Sequence, residues 1–449
     1  MKDNRTQFAT RLGVIATTVG SAVGLGNIWR FPYEAGVHGG GAFLIIDLFF
    51  IFIIGVPVVC AEFIIGRHTG SNIRGAFRVL APGKPWGLVS YIGLAASVLI
   101  LSFYSVVAGW TMHYTVKSAG GFTARMTADA LHAQFDTFAS SDVLPVVWTL
   151  VFLAVNYFIL SHGVRKGIER MSNILMPMLF VILLLFTVNS LTMPGAAEGM
   201  RFLFMPDFSA ITPSVVLGAM GQAFFSLSLG LGCLITYSSY FKRDTPLLRT
   251  SLITAGLDTL VAILAGIIIF PAVFTFGQEP AAGPKLVFEV LPSIFVNMSG
   301  GAVWSTLFFL LLFLASLTST ISMAEITIAY FEEEFGMSRK TATALSIGIA
   351  MTLGMLCALS FGALDGIKIF GMTLFDLFDY TSSNILLPVG GMIISVFVGW
   401  VLDRSVVKGE LTAGGGRITA MGVRCVVFCL RWLAPVCIGL VFLYGLGVV

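Results

Sequence analysis

Long apolar stretches with almost no charge recur along this chain, and a chain of that kind has few folds open to it. A bilayer crossing takes about 20 mostly apolar residues. Inside hydrocarbon every backbone N–H and C=O must be satisfied within the protein, which a helix does by itself. Such stretches run near 11–36, 41–67, 88–117, 144–161, 168–192, 214–240, 248–276, 302–331, 342–361, 369–402 and 421–448, eleven in all. Hydrophobic residues are 57% of the chain and charged residues 11%, against about a quarter charged in soluble domains. A soluble enzyme with one core is excluded, and so is a disordered chain. The expectation is an all-α polytopic membrane protein with eleven spans.

Basic residues set the orientation. With the N-terminus inside, Lys2, Arg5, Arg67, Arg74, Arg165, Lys242, Arg339, Arg404 and most other basic residues fall in cytoplasmic loops. Only Arg30, Lys117, Arg125, Arg201, Lys285 and Lys368 fall outside, and Arg431 lies within the last span. The expected location is the inner (plasma) membrane, with a retained cytoplasmic N-terminal tail and an extracytoplasmic C-terminus. The net charge of +3 is too small and too scattered for a nucleic-acid partner. The six cysteines lie in or beside apolar segments without a CxxC, so neither a disulfide set nor a metal site is expected. The loops 118–143 and 193–213 resemble no folded soluble domain. The five histidines show no HExxH spacing and the glycine runs lack a P-loop lysine, so no enzyme is expected.

Two spans are interrupted. The first holds Gly20, Gly24 and Gly26, then Asn27, Arg30 and Pro32; the sixth places Gln222, Ser226 and Ser228 before Gly230 and Gly232. Glycine is a poor helix former that admits close backbone approach, and polar groups at membrane depth need partners. Glycine-broken spans at matching places in two sets of five point to a 5+5 inverted-repeat transporter core with discontinuous first and sixth helices and a site near the midplane. The eighth span crowds Ser316, Thr318, Ser319, Thr320 and Ser322 together, neutral oxygens suited to a hard cation. Ala315, Thr318 and Ser319 lie within one turn. Of the acids in the spans, Glu62 and Glu325 read as buried hydrogen-bonded carboxyls. Asp258 sits in a nearly apolar TAGLDTLVAIL, where a bound cation is the better account.

The stretches AVGLGNIWRFPY, GGGAF, FFSLSLGLGCLITYSSY and ASLTSTIS resemble the neurotransmitter:sodium symporter family over nearly the whole chain. The eleven-span form is similar to a bacterial subgroup that transports amino acids. The resemblance implies a cytoplasmic tail at 1–10, a first five-helix repeat at 11–192, an inverted second repeat at 214–402 and a peripheral helix at 421–448. It implies two Na⁺ sites. One would use the carbonyl of Ala22 with Asn27, Ser226, Asp258 and the substrate carboxylate; the other the carbonyls of Gly20, Val23 and Ala315 with Thr318 and Ser319. Chloride-requiring relatives have a Tyr where this chain has Asp47 and a Ser where it has Ala262. With Asp258 beside that cavity, no chloride is expected.

Gly24 stands where monoamine carriers have an Asp, so the implied substrates are α-amino acids. The carboxylate would be held by the backbone of Leu25 and Gly26 and by Tyr104. The amino group would meet carbonyls near Ala22, Phe225 and Ser228. Ile100, Phe225, Leu231 and Met323 would line an apolar pocket, with Ser226 and Ser319 at its edge, for a neutral hydrophobic or aromatic side chain. The implied gates are Arg30 with Asp379 outside, Asp376 being the rival partner, and Arg5 with Glu333 inside, next to Phe8, Ser239, Tyr240 and Glu325. Gly167 and Pro177 in the fifth span have a spacing that the family associates with local unwinding toward the inner sodium site; a static proline kink is the plainer alternative. The expected function is Na⁺-coupled uptake of neutral amino acids by alternating access, with Na⁺ and membrane lipid as partners. A proton-coupled carrier of the same fold, using Asp47, Asp258 and Glu325, is the alternative. Sequence leaves the oligomeric state open.

Overall fold

A computed structural model describes residues 6–121, 128–277, 287–288, 291–296, 298, 300–413 and 418–448. The described residues form helices and connecting turns, with one isolated bridge between Ile369 and Met372. Helices α1 (Arg11–Ala22) and α2 (Gly26–Val37) meet at a 54° bend. They are followed by α3 (Gly41–Thr69), α4 (Pro85–Ala119), α5 (Leu144–Ser161) and α6 (Val164–Leu191). The shorter α7 (Pro213–Ser226) and α8 (Cys233–Ser238) come next. The chain ends with α9 (Leu247–Thr275), α10 (Gly301–Phe335), α11 (Arg339–Leu359), α12 (Leu374–Val401) and α13 (Ala420–Gly445).

Local sequence explains where these helices start and stop. Thr10, Thr212, Ser338 and Thr419 are N-caps whose hydroxyls accept backbone N–H groups of the first turn. Pro213 stands at the start of α7, where its missing donor costs nothing. Gly70 ends α3 in the left-handed conformation, φ 57°.

Among the described residues, nine helices are long and apolar enough to cross a membrane, or ten if the bent α1–α2 pair is one span. The sixth stretch, 214–240, is divided at its glycines into α7 and α8, as expected of a discontinuous helix, and neither piece alone has the length of a crossing. The loops 118–143 and 193–213 carry short helices, Ala128–Ala139 and Ala196–Phe204. All six cysteines are free.

Helix α10 is the axis of the fold. It packs along α4 and also against α1, α6 and α11, and 83% of its most apolar stretch is buried, against 22% for α13. The two broken pairs lie around this axis: α1 against α6, α9 and α10, and α7 and α8 against α3.

Candidate functional site

The helical ladder stops at Val23 in the first pair and leaves residues 23–25 to be held by side chains. The Gly24 N–H donates to Asn27 Oδ1 at 2.9 Å, and the Leu25 N–H donates to the Tyr104 hydroxyl at 2.9 Å. Ser319 on α10 donates to the Val23 carbonyl at 3.0 Å. A Cβ at position 24 would stand 2.7 Å from Ser319 Oγ and 2.8 Å from Tyr104 Oη, so a larger residue would have to displace these hydroxyls.

The second break, residues 227–232, is wider. Ser228, Gly230 and Gly232 have φ of 52°, 84° and 81°, a region open to glycine and costly for Ser228. The Gly230 N–H donates to Glu62 Oε1 at 2.9 Å, and Gly390 and Gly391 of α12 press against the Gly230 backbone. Glu62 is thus a buried, hydrogen-bonded acid that holds the break open.

The breaks meet at one polar cluster. Asn27 Nδ2 donates to Ser226 Oγ at 3.0 Å and to Asp258 Oδ1 at 2.7 Å, and Ser226 Oγ donates to Asp258 Oδ2 at 2.6 Å. Asn27 and Asp258 are fully buried and Ser226 is 5% exposed. The hydrogen bonds to the Asp258 carboxylate come from neutral groups, and a buried carboxylate with neutral partners is electrostatically costly. An oxygen-rich set of this kind suits a hard cation. A second group lies at the end of α1, where Thr318 Oγ1 donates to the Ala315 carbonyl at 2.9 Å and Gly20 packs on Thr318. Next to the first cluster, Asp47 Oδ1 and both polar atoms of Gln222 are buried without a hydrogen-bond partner.

A cavity of about 440 Å³ adjoins the cluster, and Ala22, Leu25, Gly26, Ile100, Tyr104, Phe225, Ser226, Ser228, Leu231, Ser319 and Met323 all line it. Gly20, Val23, Asn27, Asp258, Ala315 and Thr318 lie behind that wall. Trp29, Phe103, Val107, Phe375 and Tyr380 also line the cavity, and the sequence reading missed them. Their only signal was an aromatic or branched side chain three or four residues from a named one, as Trp29 is from Gly26 and Val107 from Tyr104.

Of the gate residues, Arg30 Nε is 3.5 Å from Glu34 Oε1, and its guanidinium carbon lies 4.2 Å from the Phe225 ring centroid. Asp379 accepts from Ser383 at 2.8 Å and Asp376 from Thr373 at 2.7 Å. Here the arginine pairs one turn along its own helix, with Glu34. Arg5 lies outside the described residues. Glu333 accepts from the backbone N–H and the side chain of Asn72 at 2.9 and 3.0 Å. Tyr240 donates to Glu325 at 2.7 Å, and Arg339 donates to the same carboxylate at 2.9 and 2.6 Å. From sequence Arg339 counts only among the basic loop residues and has no place at the gate; its position directly after a helix-capping serine marks only a helix start.

The family model described as "Sodium:neurotransmitter symporter family" matches residues 5–142 and 129–448. A sodium-dependent transporter of Bacillus subtilis, itself described as uncharacterized, is 39% identical over 98% of each chain. The bovine sodium-dependent dopamine transporter is 25% identical over 96% of this chain and 68% of its own. The crystal structure of MhsT in complex with L-phenylalanine matches with a TM-score of 0.90 at 45% identity, covering 98% of this chain and 100% of the other.

Proposed function

The chain belongs to the sodium:neurotransmitter symporter family, and from that premise we propose that it takes up neutral hydrophobic or aromatic L-amino acids by Na⁺ symport through alternating access. The observation that carries this reading is the junction of Asn27, Ser226 and Asp258, a buried carboxylate with neutral partners beside an apolar cavity. The substrate carboxylate would lie against the Leu25 and Gly26 backbone and the Tyr104 hydroxyl. The side chain would face Ile100, Leu231 and Met323, the last an adaptable surface. MhsT is described in complex with L-phenylalanine, which supports an aromatic substrate here.

Two Na⁺ ions complete the reading, one at Ala22, Asn27, Ser226 and Asp258, the other at Gly20, Val23, Ala315, Thr318 and Ser319. The first would share the substrate carboxylate, so each binding event strengthens the other. Asp47 and Asp258 make the neighbourhood of Gln222 negative, which supports transport without chloride. We read 11–192 and 214–402 as the two inverted repeats, the split α7–α8 as the sixth of eleven spans and 421–448 as a peripheral eleventh. The distribution of basic residues supports a cytoplasmic N-terminus.

The test is uptake of labelled L-phenylalanine, then L-leucine, into chloride-free proteoliposomes. An inward Na⁺ gradient drives one set, and a pH gradient in K⁺ drives the other. Uptake that needs only the Na⁺ gradient is expected. Uptake driven by pH without Na⁺ would overturn the ion assignment, and a chloride requirement would overturn that part alone.

A further inference from the structure

The chain just before α1 is held from two sides. On one side Phe8, 1% exposed, sits among Tyr237, Tyr240 and Phe241, and its N–H donates to the Tyr240 carbonyl at 3.0 Å. On the other side the contacts come from the first turn of α6. Glu169, 4% exposed, accepts three hydrogen bonds: from Ala9 N–H at 2.9 Å, Thr10 N–H at 3.1 Å and the Thr10 hydroxyl at 3.1 Å. Arg165 Nε of the same turn donates to the Gln7 carbonyl at 2.6 Å. The fit around Glu169 is close, for a Cβ at Gly13 would stand 2.6 Å from its Cγ and Cδ.

The N–H groups that open a helix have no partner within it, and a carboxylate there is favoured by their partial positive charge. Glu169 supplies that acceptor from a different helix. The turn that carries it, Val164–Glu169, is π-helical and is entered through Gly163 at φ 82°. Other helices of this fold also hold π turns, and such turns are frequent at functional sites. Farther along α6, Pro177 removes one ladder donor. The anchor of α1 therefore rests on the least regular part of α6.

We propose that Glu169 is a positioning residue that latches the start of α1 to the first turn of α6, so that loosening of Val164–Glu169 and release of residues 7–13 are one event. Opening that turn carries the carboxylate away from Ala9 and Thr10 and the Arg165 side chain away from Gln7. Four hydrogen bonds are lost together, and the segment before α1 keeps its Phe8 contacts and the bond from Lys242 Nζ to the Ala9 carbonyl at 2.9 Å. The consequence for transport, an inner route that opens cooperatively, rests on the function proposed above; the latch itself does not.

Hydrogen–deuterium exchange on the purified full chain, in Na⁺ and without substrate, tests it. Glu169→Gln keeps the size and removes the charge, turning an amide NH₂ toward backbone donors. Exchange of residues 6–14 is expected to speed up about tenfold, with α11 unchanged. Glu169→Asp is expected to fall between this variant and the parent. Pro177→Ala restores a donor to α6 and is expected to slow exchange a few-fold in 163–170 and in 6–14 together. Unchanged exchange of 6–14 in Glu169→Gln, or an equal rise over the whole chain, would overturn the latch. Slowing confined to 163–170 in Pro177→Ala would overturn the coupling. Because no substrate is present, failure of the uptake experiment leaves this result standing, and the reverse also holds.

Discussion

The outer and inner ends of the central cavity are closed by different physics. Outside, Arg30 is 35% exposed in its side chain, sits 3.5 Å from Glu34 and covers Phe225, while Asp379 is occupied with Ser383. The cavity runs up past these groups to Asp376 and Tyr380. Inside, the Glu325 side chain is fully buried, accepts from Tyr240 and from both terminal nitrogens of Arg339, and shares that arginine with Glu332 at 3.0 Å. A water-accessible pair on one helix contributes little. A buried, fully hydrogen-bonded pair is costly to break, since whichever charge remains has no water. The difference teaches that this conformation is sealed at the Glu325 end by a buried ion-pair network and closed only by adjustable contacts at the Arg30 end.

The comparison can be broken most directly at its strong side. Arg339→Ala strands Glu325 and is expected to lower stability by about 3–5 kcal/mol, whereas Arg30→Ala is expected to cost less than about 1 kcal/mol. Thermal unfolding of both variants in one detergent checks this, and equal losses would abolish the distinction. The junction between the two ends comes next. Asp258→Asn is expected to raise the Na⁺ concentration for half-maximal uptake by on the order of 10–100-fold, as loss of a buried charged partner does, while the preference between phenylalanine and leucine stays the same. Unchanged Na⁺ dependence would remove Asp258 from the ion site.

Tyr104→Phe leaves the Leu25 N–H without its acceptor, worth about 1–3 kcal/mol, and equilibrium binding of labelled phenylalanine is expected to weaken about tenfold. The smallest effect belongs to the outer end. Glu34→Gln removes a pair worth about 0.2–1 kcal/mol and should change the KM for uptake by less than about fivefold. A larger change would show that Glu34 governs the outer gate rather than merely occupying Arg30.

Much of this architecture was legible because membranes simplify sequence. Glycine runs within apolar spans located both helix breaks, since glycine readily accepts φ above 80° at Gly230 and admits the approach of Tyr104 and Ser319 to Gly24. Asp258 stood out because a carboxylate in an apolar run must have partners. The pairings made across the fold were not legible. Arg30 stands beside Glu34, while Asp379 is taken up by Ser383 and Asp376 by Thr373, a set of pairings no motif announces. Arg339 on Glu325 and Glu169 on Ala9 and Thr10 join residues that carry no shared motif.

By itself the sequence determined the class of fold, the sites of helix interruption and the chemical types gathered there. Each of these follows from local composition meeting a fixed solvent, the bilayer, and needs no knowledge of neighbours. Tertiary structure alone decided which carboxylate meets which donor, how the aromatic wall of Trp29, Phe103 and Phe375 extends the cavity, and that one end is sealed while the other is loosely held. Hydrogen bonds and ion pairs act over a few ångströms. Their partners are therefore fixed only when helices far apart in sequence have packed around α10.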